Sequence, residues 1–175
     1  MIKLIPVTGE HELNTDVREM YENAFPEEER REWIQLTELI ANPAFCFYLI
    51  FNEQLLIGLV TVWNLNEFIF VEHFTIHHRE RGKGYGTEVI RQINSMKSPV
   101  VLEVEEPLSE TAIKRIRFYK RMHYSISPGE YFQPPYSNGK NRIKMQLMSY
   151  PNEISPDHFE SIKKRIHEQV YKFRE

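Results

Sequence analysis

The chain has 175 residues, 41% of them hydrophobic and 27% charged, with a formal net charge of −3 at pH 7. That length and apolar content suit one domain with a sizeable core, and the negative balance withholds the broad basic field that nucleic-acid binding needs, Arg79, Arg81 and Lys83 making only a local cationic patch. Cys46 is the single cysteine and sits between phenylalanines, so it excludes an internal disulfide, reads as a small buried apolar residue and fits a reducing cytoplasm.

In chain order, Ile2 to Val7 predicts a short strand, and Asn14 to Phe25 predicts a helix with Val17, Met20, Tyr21 and Ala24 on one face. A second helix is expected after Pro26, its acids Glu27 to Glu29 in the first turn and Trp33, Leu36, Leu39 and Ile40 on one side, ending at Asn42-Pro43. Phe45 to Phe51 and Leu55 to Trp63 are β-rich runs at hairpin spacing, and Asn52-Glu53-Gln54 between them breaks the most apolar region. With no long apolar core in MIKLIPVTGEHEL either, neither export nor a membrane span is expected.

The stretch Phe68 to Met96 organises the rest. It runs from an aromatic and β-branched strand through the loop Arg81 to Gly86, RGKGYG, into a helix with Tyr85, Val89, Ile93 and Met96 at helical spacing. Gly82, Gly84 and Gly86 leave backbone N–H groups accessible at a helix N-terminus, where free donors and the helix dipole favour a phosphate or pyrophosphate. A nucleotide P-loop would need Ser or Thr directly after the lysine, but Lys83 is followed by Gly84. A dinucleotide fold would place GxGxxG after its first strand, whereas here GxGxG follows several.

Beyond the loop, VVLEVE after Pro99 reads as a buried strand, parallel to its neighbour across the helical crossover. Ser109 to Met122 predicts a helix that Ser109 caps, with Ala112, Ile116 and Tyr119 on one face. Tyr124 to Tyr131 and Arg142 to Tyr150 read as two strands around QPPYSNGKN, where Asn138-Gly139 is a tight-turn signal. Ser155-Pro156-Asp157 opens a last helix over about 155–174.

Arg81, Gly84 and Gly86 resemble the pyrophosphate loop of the GNAT superfamily of N-acetyltransferases, EHFTI its fourth strand, and RFYKRMHY its Phe-Tyr motif. The element order resembles the GNAT fold over 1–150, within a single domain spanning 1–175. That implies an α/β (α+β) architecture: a mixed, mostly antiparallel sheet of about six to seven strands flanked by helices, plus an extra C-terminal helix. Two positions depart from the family pattern: Ala112 stands where many members carry Asn, and His123-Tyr124 replaces Gly-Phe. FPEEERRE, LEVEEP and FQPPY are similar to a bacterial subgroup of these enzymes.

The resemblance implies a cytoplasmic enzyme that moves an acetyl group from acetyl-CoA to a primary amine of a small molecule or peptide by direct attack, without a metal. It implies coenzyme contacts from Phe74, Thr75 and Ile76 on the fourth strand and from Arg81, Gly82, Lys83, Gly84, Tyr85 and Gly86 in the loop. Glu72 matches a general-base position and alternatively pairs with a neighbouring Arg or Lys, while His73 should face away by strand alternation. Tyr119 matches the tyrosine that protonates the thiolate, or else packs in the core. Adjacent His77 and His78 face opposite sides and lack a third ligand at useful spacing. Glu103, Glu105 and Glu106, with Glu72, either form a cleft for a cationic amine or lie along a solvated edge. A homodimer and a non-catalytic acyl-CoA-binding protein of the same fold remain open.

Overall fold

The structure is a computed structural model that describes residues 1–96, 98–137 and 139–174. Its strands are β1 (Ile2–Pro6), β2 (Phe45–Asn52), β3 (Leu55–Asn64), β4 (Ile69–Ile76), β5 (Val100–Glu105), β6 (Ser125–Ile126), β7 (Tyr131–Gln133) and β8 (Ile143–Tyr150). Its α-helices are α1 (Thr15–Ala24), α2 (Trp33–Glu38), α3 (Tyr85–Asn94), α4 (Glu110–Arg121) and α5 (Pro156–Gln169). The strands form one sheet in the order β1-β2-β3-β4-β5-β8-β6, with β7 also paired to β8. Among the described residues only β4 and β5 pair in parallel, as the crossover through α3 requires.

Helices cover both faces of the sheet. Val17 and Tyr21 of α1, Leu36 of α2 and Phe159 and Ile166 of α5 pack with Trp63 and Phe70 on one side. Val89, Ile90 and Ile93 of α3 and Ile116 and Tyr119 of α4 pack with Val60, Val71 and Leu102 on the other. Caps set the helix starts: Asn14 Oδ1 accepts from Val17 N at 3.1 Å and Ser109 Oγ from Ala112 N at 3.1 Å. No helix among the described residues is long and apolar enough to cross a membrane.

Three segments depart from the sequence expectations, each for a tertiary reason. The helix expected after Pro26 starts only at Trp33: Glu27–Glu29 form a separate 3-10 turn and Arg30 is extended at φ −137°. The break allows Arg31 N to donate to the buried Tyr21 hydroxyl at 2.9 Å. The strand expected over 124–131 splits into β6 and β7, which raises the strand number among the described residues to eight. Between them Gly129 lies against Phe159 of α5, so close that a Cβ there would sit 2.2 Å from a ring carbon. The last helix stops at Gln169, and beyond it Val170 O accepts from Arg31 and the Tyr171 hydroxyl donates to Glu103. The Asn138-Gly139 turn signal includes Asn138, which lies outside the described residues; Gly139 has φ +91°.

His123, standing where the family pattern has glycine, adopts φ +65° in the left-handed region that glycine favours. Cys46 is half-buried, packed against the α3 face. The contact at Gly129 gives a stability test. Gly129→Ala should displace Phe159 and loosen the docking of α5, lowering unfolding free energy in urea by about 1–3 kcal/mol, the range for an overpacked core.

Candidate active site

The parallel pairing of β4 and β5 is short. It joins Ile69, Phe70 and Val71 to Val100, Val101 and Leu102 and then ends. Beyond that point β4 continues with β3 alone and β5 with β8 alone, so the two strands diverge and leave the β4 edge from Glu72 to Ile76 unpaired on that side. A cavity of about 60 Å³ lies in the wedge, lined by Glu72, His73 and Phe74 of β4, Glu103 and Glu105 of β5, and Arg115 and Tyr119 of α4.

A β-bulge aims the β4 side chains. Thr61 pairs with His73 and Val62 with Val71, so Glu72 is an extra residue opposite β3. Strand alternation is lost there, and His73, expected on the opposite face, lies beside Glu72 with Nδ1 3.8 Å from Oε2. His73 Nε2 lies 3.2 Å from the Glu29 carbonyl and Nδ1 lies 3.3 Å from Thr61 Oγ1. Since a carbonyl only accepts, the hydrogen sits on Nε2. Burial pushes the ring down to about 4, against the pull of Glu72, so His73 is neutral at pH 7.

The Glu72 side chain is fully buried and paired. Arg31 holds Oε1 through Nε at 2.9 Å and Nη2 at 2.8 Å, and Trp63 Nε1 donates to Oε2 at 2.8 Å. Burial acts to raise this carboxyl, but the charge of Arg31 and the hydrogen bonds from Trp63 and Arg31 hold it below the usual range. Arg31 also donates from Nη2 to the Val170 carbonyl at 2.7 Å and lies over the Tyr136 ring, 4.8 Å from its centroid. In a continued helix Val170 O would accept from residue 174; ending α5 at Gln169 releases it for Arg31.

Glu103 lies across the wedge in a different environment. Tyr131 donates its hydroxyl to Oε1, while Gln133 Nε2 at 2.8 Å and the Tyr171 hydroxyl at 2.7 Å donate to Oε2. No cation pairs with it among the described ion pairs. Burial pushes its carboxyl up to about 7, opposed by those three donors and reinforced by the charge of Glu72. Sequence reasoning left Glu103 between an acceptor cleft and a solvated edge and gave it no catalytic role; its partners Tyr131, Gln133 and Tyr171 come from segments far along the chain. Glu105 is ion-paired with Arg115, and Glu106 lies 3.3 Å from Lys144 on the outside. Tyr119 is 6% exposed, with its ring 5.4 Å from Tyr124, and burial pushes its hydroxyl up to about 12.

The loop 81–86 opens α3. Gly84 is the N-cap at φ +85° and Gly82 has φ +79°, conformations that glycine adopts without strain. The N–H groups of Thr87 and Glu88 return to Gly84 O, which leaves those of Tyr85 and Gly86 at the open helix end. A Cβ on Gly86 would only touch Phe118 at 3.6 Å and Phe74 at 3.8 Å. Arg81 Nε binds the Ile76 carbonyl at 2.9 Å, fixing the loop to the end of β4, and Lys83 pairs with Glu80 at 2.9 Å. The His77 and His78 rings lie side by side, tilted by 39° with centroids 4.3 Å apart, rather than facing opposite sides. A larger concavity of about 690 Å³ opens between α1 and the end of β4, beside Thr75, Ile76 and Arg81; Tyr119 and the Glu72–Glu103 pair lie outside it.

The buried pair makes a direct prediction. Arg31→Met leaves an uncompensated charge on Glu72 and should cost about 3–5 kcal/mol in urea unfolding at pH 7, whereas adding Glu72→Gln should recover part of the loss. The folded-state value of Glu72 is depressed, so the pair stabilises above the ordinary carboxyl value of 4.5 and loses its effect as pH falls through the folded value. The gap between wild type and Arg31→Met should therefore close below about pH 4.5.

Residues 11–124 match the sequence pattern of the Acetyltransferase (GNAT) family. YjbC of Bacillus subtilis (strain 168), assigned as an acetyltransferase, is 28% identical over 115 residues, covering 63% of this chain and 59% of that protein. A solved structure assigned as a GNAT-family acetyltransferase of Bacteroides thetaiotaomicron is 34% identical, with a TM-score of 0.91 over 98% of this chain and 99% of its own. Arabidopsis thaliana Naa50, solved in complex with the bisubstrate analogue CoA-Ac-MVNAL, shares the fold at a TM-score of 0.64 and 15% identity, over 86% of this chain and 99% of its own. The splayed strands, the glycine loop at the start of α3 and the matched pattern agree, and the chain belongs to the GNAT family of acetyltransferases.

Proposed function

We propose that this protein transfers an acetyl group from acetyl-CoA to a primary amine, with Glu103 as general base and Tyr119 as general acid. The observation that carries the reading is the pair of unlike carboxylates in the wedge: Glu72 is held ionised by Arg31, and Glu103 is raised to about 7 without a cationic partner. A base works best with its value near the working pH. The resemblance favoured Glu72 as base, but both its oxygens are engaged by Arg31 and Trp63. Glu72 instead acts as a fixed charge that raises Glu103.

The residues present fit the coenzyme. The N–H groups at the start of α3, framed by Arg81, Gly82, Lys83, Gly84, Tyr85 and Gly86, suit its pyrophosphate. The unpaired backbone of Phe74, Thr75 and Ile76 suits the amide-bearing arm and the negative charge that develops on the carbonyl oxygen. The bound thioester supplies the activated acyl carbon. In the transfer a C–N bond forms and the C–S bond breaks. An entering ammonium loses two protons to Glu103 and solvent, one returns to the departing thiolate from Tyr119, and solvent restores Tyr119, for a net release of one proton. The high value of Tyr119 keeps its hydroxyl protonated until the thiolate appears. The Naa50 complex, which carries a peptide-derived bisubstrate analogue, supports including peptide amino termini among the candidate acceptors.

The first test is binding: acetyl-CoA should raise the melting temperature, by about 2.7 kcal/mol of linked stability at a hundredfold excess over Kd. Gly84→Val forces a β-branched residue into φ +85° and should abolish that shift. The second test is coenzyme A release with a panel of primary amines and short peptides. Because the base must be deprotonated, kcat/KM should fall as the pH drops through about 7. Glu103→Gln should lower the rate by roughly 10² to 10⁴ and remove that limb, and Tyr119→Phe should slow turnover while leaving acetyl-CoA binding unchanged. A wild-type rate for Glu103→Gln would return the base role to Glu72.

A further inference from the structure

Two hydroxyls donate to Glu103, and their surroundings differ. The Tyr171 hydroxyl gives its hydrogen to Glu103 Oε2 at 2.7 Å and accepts one from Gln133 Nε2 at 2.9 Å, with the Tyr136 hydroxyl 3.4 Å away on its acceptor side. A phenol has one hydrogen, and with donors facing its lone pairs that hydrogen has a single place to point. The Tyr131 hydroxyl reaches Glu103 Oε1 and makes no second hydrogen bond among the described residues. Burial and the charge of Glu103 push both phenols up, so each remains a donor throughout the neutral range.

The two oxygens of Glu103 are therefore unequal. A carboxylate offers about four lone-pair positions, two on each oxygen. Gln133 and Tyr171 fill both on Oε2, and Tyr131 fills one on Oε1. A proton arriving at this carboxylate finds its open position on Oε1. The tail fixes the asymmetry: Val170 O is held by Arg31 Nη2 at 2.7 Å, and the next residue, Tyr171, rests its ring against Tyr136 with centroids 5.0 Å apart.

The other ionisable groups at the wedge make no hydrogen bond to Glu103 among the described residues. Glu72 faces it from β4 with its charge matched by Arg31, and His73 beside Glu72 is neutral. On α4, Arg115 is taken by Glu105 and Tyr119 keeps its proton. Glu29, on the turn before Arg30, is itself raised by burial and by Glu105. Tyr136 reaches Glu103 only through Tyr171. Tyr131, Tyr171 and Gln133 are thus the groups that oppose burial at Glu103.

We propose that Tyr171 is a positioning residue of the transfer reaction: it occupies Oε2 of Glu103 with a hydrogen that cannot turn away and so leaves Oε1 as the atom that takes the amine's proton. The inference rests on the reading of Glu103 as general base and adds the residue that governs it, from a segment outside the 11–124 family pattern. A hydrogen bond to the charged form favours that form. Loss of the Tyr171 hydroxyl therefore raises the Glu103 carboxyl further.

The test follows Glu103 in the full chain by two readouts. Infrared difference spectra against Glu103→Gln isolate its carboxyl band, whose pH midpoint reads its ionisation, and the pH profile of coenzyme A release reads its work as base. Tyr171→Phe keeps the ring and removes the hydroxyl; the same subtraction is made in that background. Midpoint and acid limb of kcat/KM should move up together by about 1–2 pH units, the size of a hydrogen bond to a charged group, with the rate recovering toward wild type above the new limb. A rate lowered equally at every pH with the midpoint in place marks a structural role and overturns the proposal. So does a limb that vanishes in Glu103→Gln yet stays in place in Tyr171→Phe. A midpoint that moves without the limb, or no coenzyme A release from any amine, overturns Glu103 as base and with it the part of Tyr171 in the reaction. If Tyr171→Phe does not fold, Gln133→Met removes the N–H that pins the Tyr171 hydroxyl together with the second Oε2 donor; it must raise the midpoint too, and an unmoved midpoint there overturns the assignment.

Discussion

The ion pair between Arg31 and Glu72 joins three regions that have no local reason to meet. Arg31 sits in the break between α1 and α2, Glu72 is the extra residue of the β4 bulge, and Val170 O, which takes the remaining reach of the guanidinium, follows the last turn of α5. Two buried charges must be paired and hydrogen-bonded to be tolerated. That requirement explains several irregularities at once: the extended Arg30, the lost alternation in β4 and the early end of α5.

The same pair shapes the electrostatics of the wedge. Arg31 is spent on Glu72, and among the described ion pairs no cation pairs with Glu103, which hydrogen-bonds to hydroxyls and an amide. Two carboxylates on facing strands thus differ in state, one ionised throughout the neutral range and one poised near 7. Environments that push two acids apart are a recognised route to acid–base chemistry on one scaffold. His73, buried and neutral between Tyr21, Thr61 and Glu29, packs against the α1 layer and adds no charge.

The family pattern spans 11–124, yet the partners of Glu103 lie beyond it, on β7 and in the tail after α5. The C-terminal helix therefore has a structural consequence at the wedge. Phe159 anchors it over Gly129, and its tail brings Val170 to Arg31 and Tyr171 to Glu103. The core of the fold supplies the splayed strands and the glycine loop, and the added segment closes the Glu103 side of the wedge.

Much of the architecture was legible because it rests on local rules. Hydrophobic periodicity located α1, α3 and α4, β-branched runs located β2, β3 and β5, Ser109 marked a helix start, and the three glycines marked the loop before α3. The pairing of Glu72 with an arginine was one of two sequence readings, but nothing local identified Arg31, 41 positions away in the chain. Periodicity likewise carried one helix through Glu27 to Ile40, since no sequence rule shows that Tyr21 and Glu72 will pull Arg31 out of it. Alternation misplaced His73, because a bulge depends on how two strands register. Glu103 read as one acid in a charged run; its raised value arises only when β7 and the tail of α5 fold over it and remove water. Sequence alone determined most of the elements and the glycine loop that opens α3, because propensity, capping and glycine conformation act over a few residues. Which carboxylate is paired with a cation and which is raised was decided by the tertiary structure, because burial and charge pairing depend on residues more than a hundred positions apart, as Arg31 and Val170 are.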